Sequence, residues 1–409
     1  MTTNASALGG LARGALLAAL AGGVATIASA QQVTLQMQGD DISMIGDLLE
    51  YDDETFTISS AIGPLTVDRA DFECFGEACP GGEAAPEAGG QVVWDVSLWG
   101  SRRAFTEHVE RLAELLNEKT GGDFTLNIDY GGLSPSRENL DGIAAGSFEM
   151  AQFCAGYHSE KNPSITVLEL PFLGVDSLEL ELALSRAVYQ HPAVIADMAR
   201  WNATLLMPSP QPQNNIIGVG QPPTSLGSFR DMTIRSTGGI GRAVEALGAE
   251  ALIIPAPQVR DALADGTVQA VAFAPHAHMA FGTIDSASWW TTNLNPGTSN
   301  CPVVVNTEAL ESLSTPNRVA LLSSVDEALE HYVDNYQGVT MGAWGPALDE
   351  NFIIQITLRD DILDAINEAV AQPAAEAWIE ENTRRGLPAQ ELYDMVSTMI
   401  DEWDGTGGS

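Results

Sequence analysis

Phe229-Arg-Asp-Met-Thr-Ile-Arg235, followed by Ser236-Thr-Gly-Gly-Ile-Gly241, reads as a strand, a glycine turn and the start of a helix. This places the Arg235 guanidinium at the carboxyl end of a strand, where open α/β sheets bind their ligands. The chain carries only 18 Lys+Arg against 55 Asp+Glu. A cation at that position is therefore a candidate for holding a carboxylate through two parallel hydrogen bonds, with a structural ion pair as the plain alternative. Working outward, Leu205-Leu-Met207, Ile216-Ile-Gly-Val219, Leu252-Ile-Ile254, Val268 to Phe273 and Val303-Val-Val-Asn306 read as further strands. Arg242 to Leu247 and Val259 to Ala264 read as helices.

A similar block precedes this one. Val92-Val-Trp-Asp-Val-Ser97 is a buried strand, and the helix after it sets Phe105, Val109, Leu112, Leu115 and Leu116 on one face before Gly121-Gly122. Phe124-Thr-Leu-Asn-Ile128 is a strand, Ser136 to Ala145 begins a helix, and Phe148 to Phe153 is another strand. Such β-α-β alternation predicts a parallel sheet covered by helices. The expected fold class is α/β: a first lobe over about 91–203 plus C-terminal helices, a second over about 204–302, and a cleft between them.

The N-terminal segment differs. Arg13, the small-residue apolar run Ala15 to Ala28, and Ala28-Ser-Ala30 fit a secretory leader cleaved after Ala30, which predicts an exported, periplasmic protein. Without Arg13 the chain keeps 17 Lys+Arg against 55 Asp+Glu. That field repels nucleic acid and anionic lipid, and no later stretch is long and apolar enough for direct membrane insertion. Residues 31–80 read as a small all-β module, with strands Val33-Thr-Leu-Gln-Met37, Ile42-Ser-Met-Ile45, Phe56-Thr-Ile-Ser59 and Leu65-Thr-Val67. Residues 81–90 have the composition of a linker.

Four cysteines in an exported chain read as paired. Cys74 and Cys79 would close a short loop and staple a module too small for a large core. Cys154 and Cys301 are read either as a pair at the cleft floor or as two buried thiols.

Taken in order, Trp99-Gly100, Gly131-Gly-Leu-Ser-Pro-Ser-Arg137 running on to Gly146, Leu170-Pro-Phe172, Phe229 to Arg235, Leu247-Gly-Ala249 and Val259 to Ala270 look like a known family. The chain resembles the periplasmic solute receptors of tripartite ATP-independent periplasmic (TRAP) transporters, the dicarboxylate-receptor-like family, over residues 91–404. The resemblance implies two lobes that close on a small organic carboxylate, bracing C-terminal helices, and delivery of the ligand to the membrane permease subunits of a TRAP transporter. It also implies that Arg235 grips the ligand carboxylate, and that Tyr157, His158, Gln213, Asn214, Asn215 and Phe273 face the ligand. The β module lies outside the family's usual chain. Where metal-assisted family members supply carboxylates, this sequence has Val271-Ala-Phe273 and Pro296-Gly-Thr-Ser299, so no metal or cofactor is expected.

Trp99 follows a first-lobe strand and is a candidate cleft aromatic. His158 and His276 could each hydrogen-bond a ligand and would make affinity pH-dependent near neutrality. His276-Ala-His278 lacks a nearby third ligand for a zinc site. Arg102-Arg103 reads as surface and Trp289-Trp290 as packing. No G-x-S-x-G, H-E-x-x-H or phosphate-loop pattern occurs, so no catalytic residue is assigned. Two other readings are an envelope interaction protein whose working part is the β module, and an exported enzyme acting on a small carboxylate.

Overall fold

The structure, a computed structural model, describes residues 32–37, 43–52, 54–60, 63–76, 78–80, 91–157 and 159–403. The leader, the Gly39-Asp-Asp41 turn, the linker and His158 lie outside them. By its contacts the chain divides into two units, Met1–Ala84 and Ala85–Ser409.

In the first unit five strands, β1 (Gln32–Met37), β2 (Ser43–Tyr51), β3 (Thr55–Ser60), β4 (Gly63–Asp68) and β5 (Phe72–Phe75), form one sheet in the order β4-β3-β2-β1-β5. Alternation explains its one-sided core. Val33, Leu35, Phe56, Ile58 and Phe72 are buried together with Cys79, while Thr57 and Thr66 pair by hydroxyl on the other face at 2.9 Å. Asp52 turns the chain into β3 by accepting from the Glu54 and Thr55 amides at 2.8 and 2.7 Å. Cys74 and Cys79 are disulfide-bonded, as the sequence led us to expect.

The second unit holds two sheets. Its chain runs β6 (Val92–Ser97), α1 (Glu107–Lys119), β7 (Phe124–Asp129), α2 (Asn139–Ala144), β8 (Met150–Gln152), α3 (Leu178–Tyr189), α4 (Pro192–Ala199) and β9 (Ala203–Met207). It continues through β10 (Ile216–Gly218), β11 (Thr233–Arg235), α5 (Gly238–Ala246), β12 (Glu250–Leu252), α6 (Val259–Ala264), β13 (Ala270–Ala272), α7 (Pro275–Ala280), β14 (Trp289–Thr291) and β15 (Val303–Asn306). It ends with α8 (Thr307–Ser312), α9 (Thr315–Asn335), a π turn over Tyr336–Thr340, α10 (Met341–Glu350), β16 (Ile354–Ile356), α11 (Asp360–Arg384) and α12 (Ala389–Asp401).

The first lobe's sheet has the order β7-β6-β8-β15-β9, and the second's β12-β11-β13-β10-β14-β16. Both are mixed rather than wholly parallel: β15 runs antiparallel to β8 and β9, and β10 antiparallel to β13 and β14. β9, read from sequence with the second block, is an edge strand of the first sheet. The chain thus crosses to the second lobe only after Met207 and returns before Val303. α1 shows why the sequence encodes these elements. Val109, Leu112, Leu115 and Leu116 are buried at helical spacing, each contributing about 1.5–3 kcal/mol. Gly121 and Gly122, at φ +61° and +89°, then end the helix in a conformation other residues resist. No helix among the described residues is long and apolar enough to cross a membrane.

Cys154 and Cys301 flank the β8–β15 pairing and are disulfide-bonded, which decides between the two sequence readings. The bond closes a separation of 147 residues. Replacing both cysteines by serine should cost about 3–5 kcal/mol in urea unfolding of the oxidised protein, since so long a loop is released in the unfolded chain. A variant as stable as the wild type would show that the unfolded chain gains nothing from the missing bond.

Candidate ligand cleft

The site is assembled from the carboxyl ends of parallel strands in both sheets. β11 ends on Arg235 and β13 leads into Phe273; across the cleft, β6 leads into Trp99 and Arg103, and β8 into Tyr157. The lobes touch. Arg235 Nη2 donates to Tyr157 Oη at 2.8 Å, and Arg137 Nη2 donates to the Ile253 carbonyl at 2.7 Å. Trp99 lies parallel to Phe281 with 6.4 Å between ring centroids.

Arg235 is 3% exposed. Its Nε donates to the Ile254 carbonyl at 3.0 Å, and its Nη1 makes a long contact of 3.4 Å to the Ala272 carbonyl. Its guanidinium carbon stands 4.3 Å from the Phe273 ring centroid. None of the ion pairs among the described residues involves it. Burial lowers its pKa, opposed mainly by the Tyr157 hydroxyl. With three of its five N–H groups used, two remain for an acceptor in the cavity.

That cavity has a volume of about 40 Å³, and its wall is aromatic: Trp99, Phe105, Tyr157, Phe273, His276 and Phe281. Gln211, Asn214 and Ser299 supply polar groups. Asn214 donates to Ser299 Oγ at 3.1 Å and keeps a buried Oδ1 without a protein partner. Larger depressions open elsewhere, one of about 510 Å³ bordered by Glu179, Glu330 and Asp334, but those acids are exposed to solvent. A buried cation with no ion-pair partner among the described residues makes the smaller cavity the candidate site.

Of the residues singled out from sequence, Arg235, Tyr157, Asn214, Phe273, Trp99 and His276 border this cavity. Gln213 and Asn215 do not. Gln213 bonds to the Val175 carbonyl. Asn215 ties down the loop before Pro296, donating to Asn295 Oδ1 at 2.7 Å and accepting from Thr291 Oγ1 at 3.2 Å. His276 shares a 2.6 Å hydrogen bond with Tyr336 of the π turn and stacks on Phe105. Burial holds its imidazole pKa well below the ordinary value, so this ring stays neutral and does not titrate near neutrality.

Arg103 differs from the sequence reading. Arg102 is a surface residue whose Nε pairs with Glu110 at 2.5 Å, but its neighbour Arg103 is 8% exposed and borders the cavity. Its Nη1 donates to the Trp99 and Ser101 carbonyls at 2.8 and 2.9 Å, while Nε and Nη2 have no protein partner. Its guanidinium lies over Trp99, Phe281 and Phe105. Burial lowers its pKa to about 10, and it remains charged.

Behind the cavity two carboxyls are buried. Glu169 Oε1 accepts from the Gly156 and Asn300 amides at 3.1 and 3.0 Å, and Glu181 Oε2 from the Gln211 amide at 2.8 Å. Burial outweighs these bonds and raises the carboxyls to about 7 and about 8. The folded state therefore holds these protons more tightly than the unfolded chain. The resulting stability is complete below the ordinary carboxyl range and lost as pH rises through 7 to 8. Calorimetric melting should show Tm falling from pH 5.5 to 8.5 and a flatter profile in Glu181→Gln. A profile that rises, or that this substitution leaves unchanged, would refute the assignment.

The sequence matches the model of bacterial extracellular solute-binding protein family 7 (DctP) over residues 96–381. The chain belongs to this family. Its fold is shared with solved TRAP solute-binding proteins at low identity. A TRAP solute-binding protein from an unidentified marine microbe, specific for aromatic acid ligands and solved with 3-hydroxybenzoate, is 20% identical. It aligns over 77% of this chain and all of its own at a TM-score of 0.70. A Rhodoferax ferrireducens TRAP protein with copurified benzoate is 16% identical over 78% of this chain and all of its own, at 0.69. A Bordetella bronchiseptica receptor with bound mandelate is 18% identical over 76% of this chain and all of its own, at 0.67. The chain also aligns with the Comamonas testosteroni outer membrane transporter protein TsaT, 20% identical over 296 residues, covering 70% of this chain and 84% of that one.

Proposed function

We propose that this family 7 receptor captures a small aromatic carboxylate by closing its lobes on it, and presents it in the periplasm to the permease of a TRAP transporter. The reading rests chiefly on Arg235, a buried cation facing no protein carboxylate among the described residues. A carboxylate at its free N–H groups would neutralise it, and the aromatic wall would cover a ring at little entropic cost. The bound ligands of the related receptors, 3-hydroxybenzoate, benzoate and mandelate, agree with that wall in chemistry. Closure would follow because ligand contacts from both lobes exist only in the closed state. We assign the chain's layout as a leader over 1–30, a β module over 31–80, a linker over 81–90 and the receptor body over 91–404.

The test is a thermal-shift screen of the purified protein against aromatic, aliphatic and hydroxy acids. A ligand at one hundred times its Kd should stabilise the fold by about 2.7 kcal/mol. Stabilisation by uncharged or cationic solutes, and by no acid, would refute the proposal.

A further inference from the structure

Two arginines, not one, reach the cavity, and their surroundings are alike. Arg103 enters from the first lobe and Arg235 from the second; each is more than nine-tenths buried and lies over aromatic rings. Arg103 keeps Nε and Nη2 unpartnered, which amounts to three free N–H donors, more than Arg235 has. No acidic residue borders the cavity to neutralise either group: its ionisable wall consists of these two arginines, Tyr157 and His276. His276 is held neutral by burial. Glu169 and Glu181 lie behind the wall, are pushed toward their uncharged forms, and accept hydrogen bonds from backbone amides.

A ligand with one carboxylate at Arg235 would leave the second guanidinium buried and unpaired, which is unfavourable in a poorly solvated site. We propose that the ligand carries two anionic groups on a flat apolar core, one paired with Arg235 and the other with Arg103. This makes the substrate class an aromatic dicarboxylate rather than a simple benzoate. The inference rests on the carboxylate reading above. It adds a determinant of specificity from the first lobe, so that a dianion would bridge the cleft and tie the two lobes together by charge.

Titration calorimetry on the full chain separates the possibilities. Benzoate, benzene-1,3-dicarboxylate, benzene-1,4-dicarboxylate and the monomethyl ester of each diacid are compared. The esters keep the size of the diacids but lack the second charge. At least one dicarboxylate should bind about 30-fold or more tighter than both its monoester and benzoate. That ratio should collapse toward one in Arg103→Met. Equal affinities for diacid and monoester in the wild type would overturn the proposal, and so would a preference that Arg103→Met retains. Should that variant fail to fold, the wild-type comparison of diacid with monoester still decides. Benzoate binding that depends on Arg235 without any preference for a dianion would leave the carboxylate reading standing and remove only this one. Failure of every acid to bind would remove both.

Discussion

Arg235→Met should weaken binding of an aromatic carboxylate by about 2–5 kcal/mol, roughly 30- to 4,000-fold, while leaving the unliganded protein about as stable as before. The two halves of this expectation come from the same observation. Arg235 is buried with no acidic partner among the described residues, and its bonds go to two carbonyls and the Tyr157 hydroxyl. In the unliganded fold it is a desolvated cation, and methionine can fill much the same space over Phe273 without that penalty. In the complex, methionine would leave the ligand's carboxylate buried without a charged donor. A structural arginine would behave in the opposite way, losing stability first and affinity only as a consequence. Paired calorimetry and urea unfolding distinguish the two, and undiminished affinity would remove Arg235 from the site.

The second large effect is expected where the lobes meet beside the cavity. Gly239 lies in the first turn of α5 in the second lobe, and a Cβ there would stand 1.6 Å from the carbonyl oxygen of Glu169 on the opposing segment. A Cβ on Gly238, at φ +54°, would stand 2.1 Å from Glu169 Oε2. Gly239→Ala meets backbone, which cannot swing aside as a side chain would, so the lobes must separate to accept it. We expect about 1–3 kcal/mol of lost closure, read as a 5- to 150-fold weaker affinity and a larger radius of gyration in X-ray scattering with ligand present. Gly241→Ala on the same helix is the control. Its Cβ would meet only Ser236 Oγ at 3.6 Å and Ala251 Cβ at 3.7 Å, ordinary contacts, and should leave both measurements unchanged. Equal behaviour of the two variants would show that helix propensity, not lobe contact, governs the result.

The parts of the site that could be read from sequence are those where local pattern and position coincide. Arg235 ends a short strand before a glycine turn, a local arrangement that indicates which end of a sheet it occupies. The α1 face was legible because four large apolar residues repeat at helical spacing. Arg103 was not legible, because it and Arg102 are chemically identical neighbours and local polarity cannot say which one turns inward. The available signal was the flanking Trp99 and Phe105, apolar residues that hold its guanidinium among rings. β14 and β16 are three residues long, too short for alternation to register, and they pair with each other across more than sixty residues of chain. Long-range pairing also explains why local pattern groups β9 with the wrong sheet and does not decide the Cys154–Cys301 bond. Gln211, which borders the cavity in place of Gln213, differs from it only by two positions in a proline-rich loop that carries no periodicity.

The most direct test is a crystal structure of the protein with benzoate bound. Both carboxylate oxygens are expected about 2.7–2.9 Å from Arg235 nitrogens, with the ring against Phe273 and Tyr157 and both lobes in contact with the ligand. Benzoate bound elsewhere, with the Arg235 guanidinium still engaged only by Tyr157, Ile254 and Ala272, would contradict the central claim.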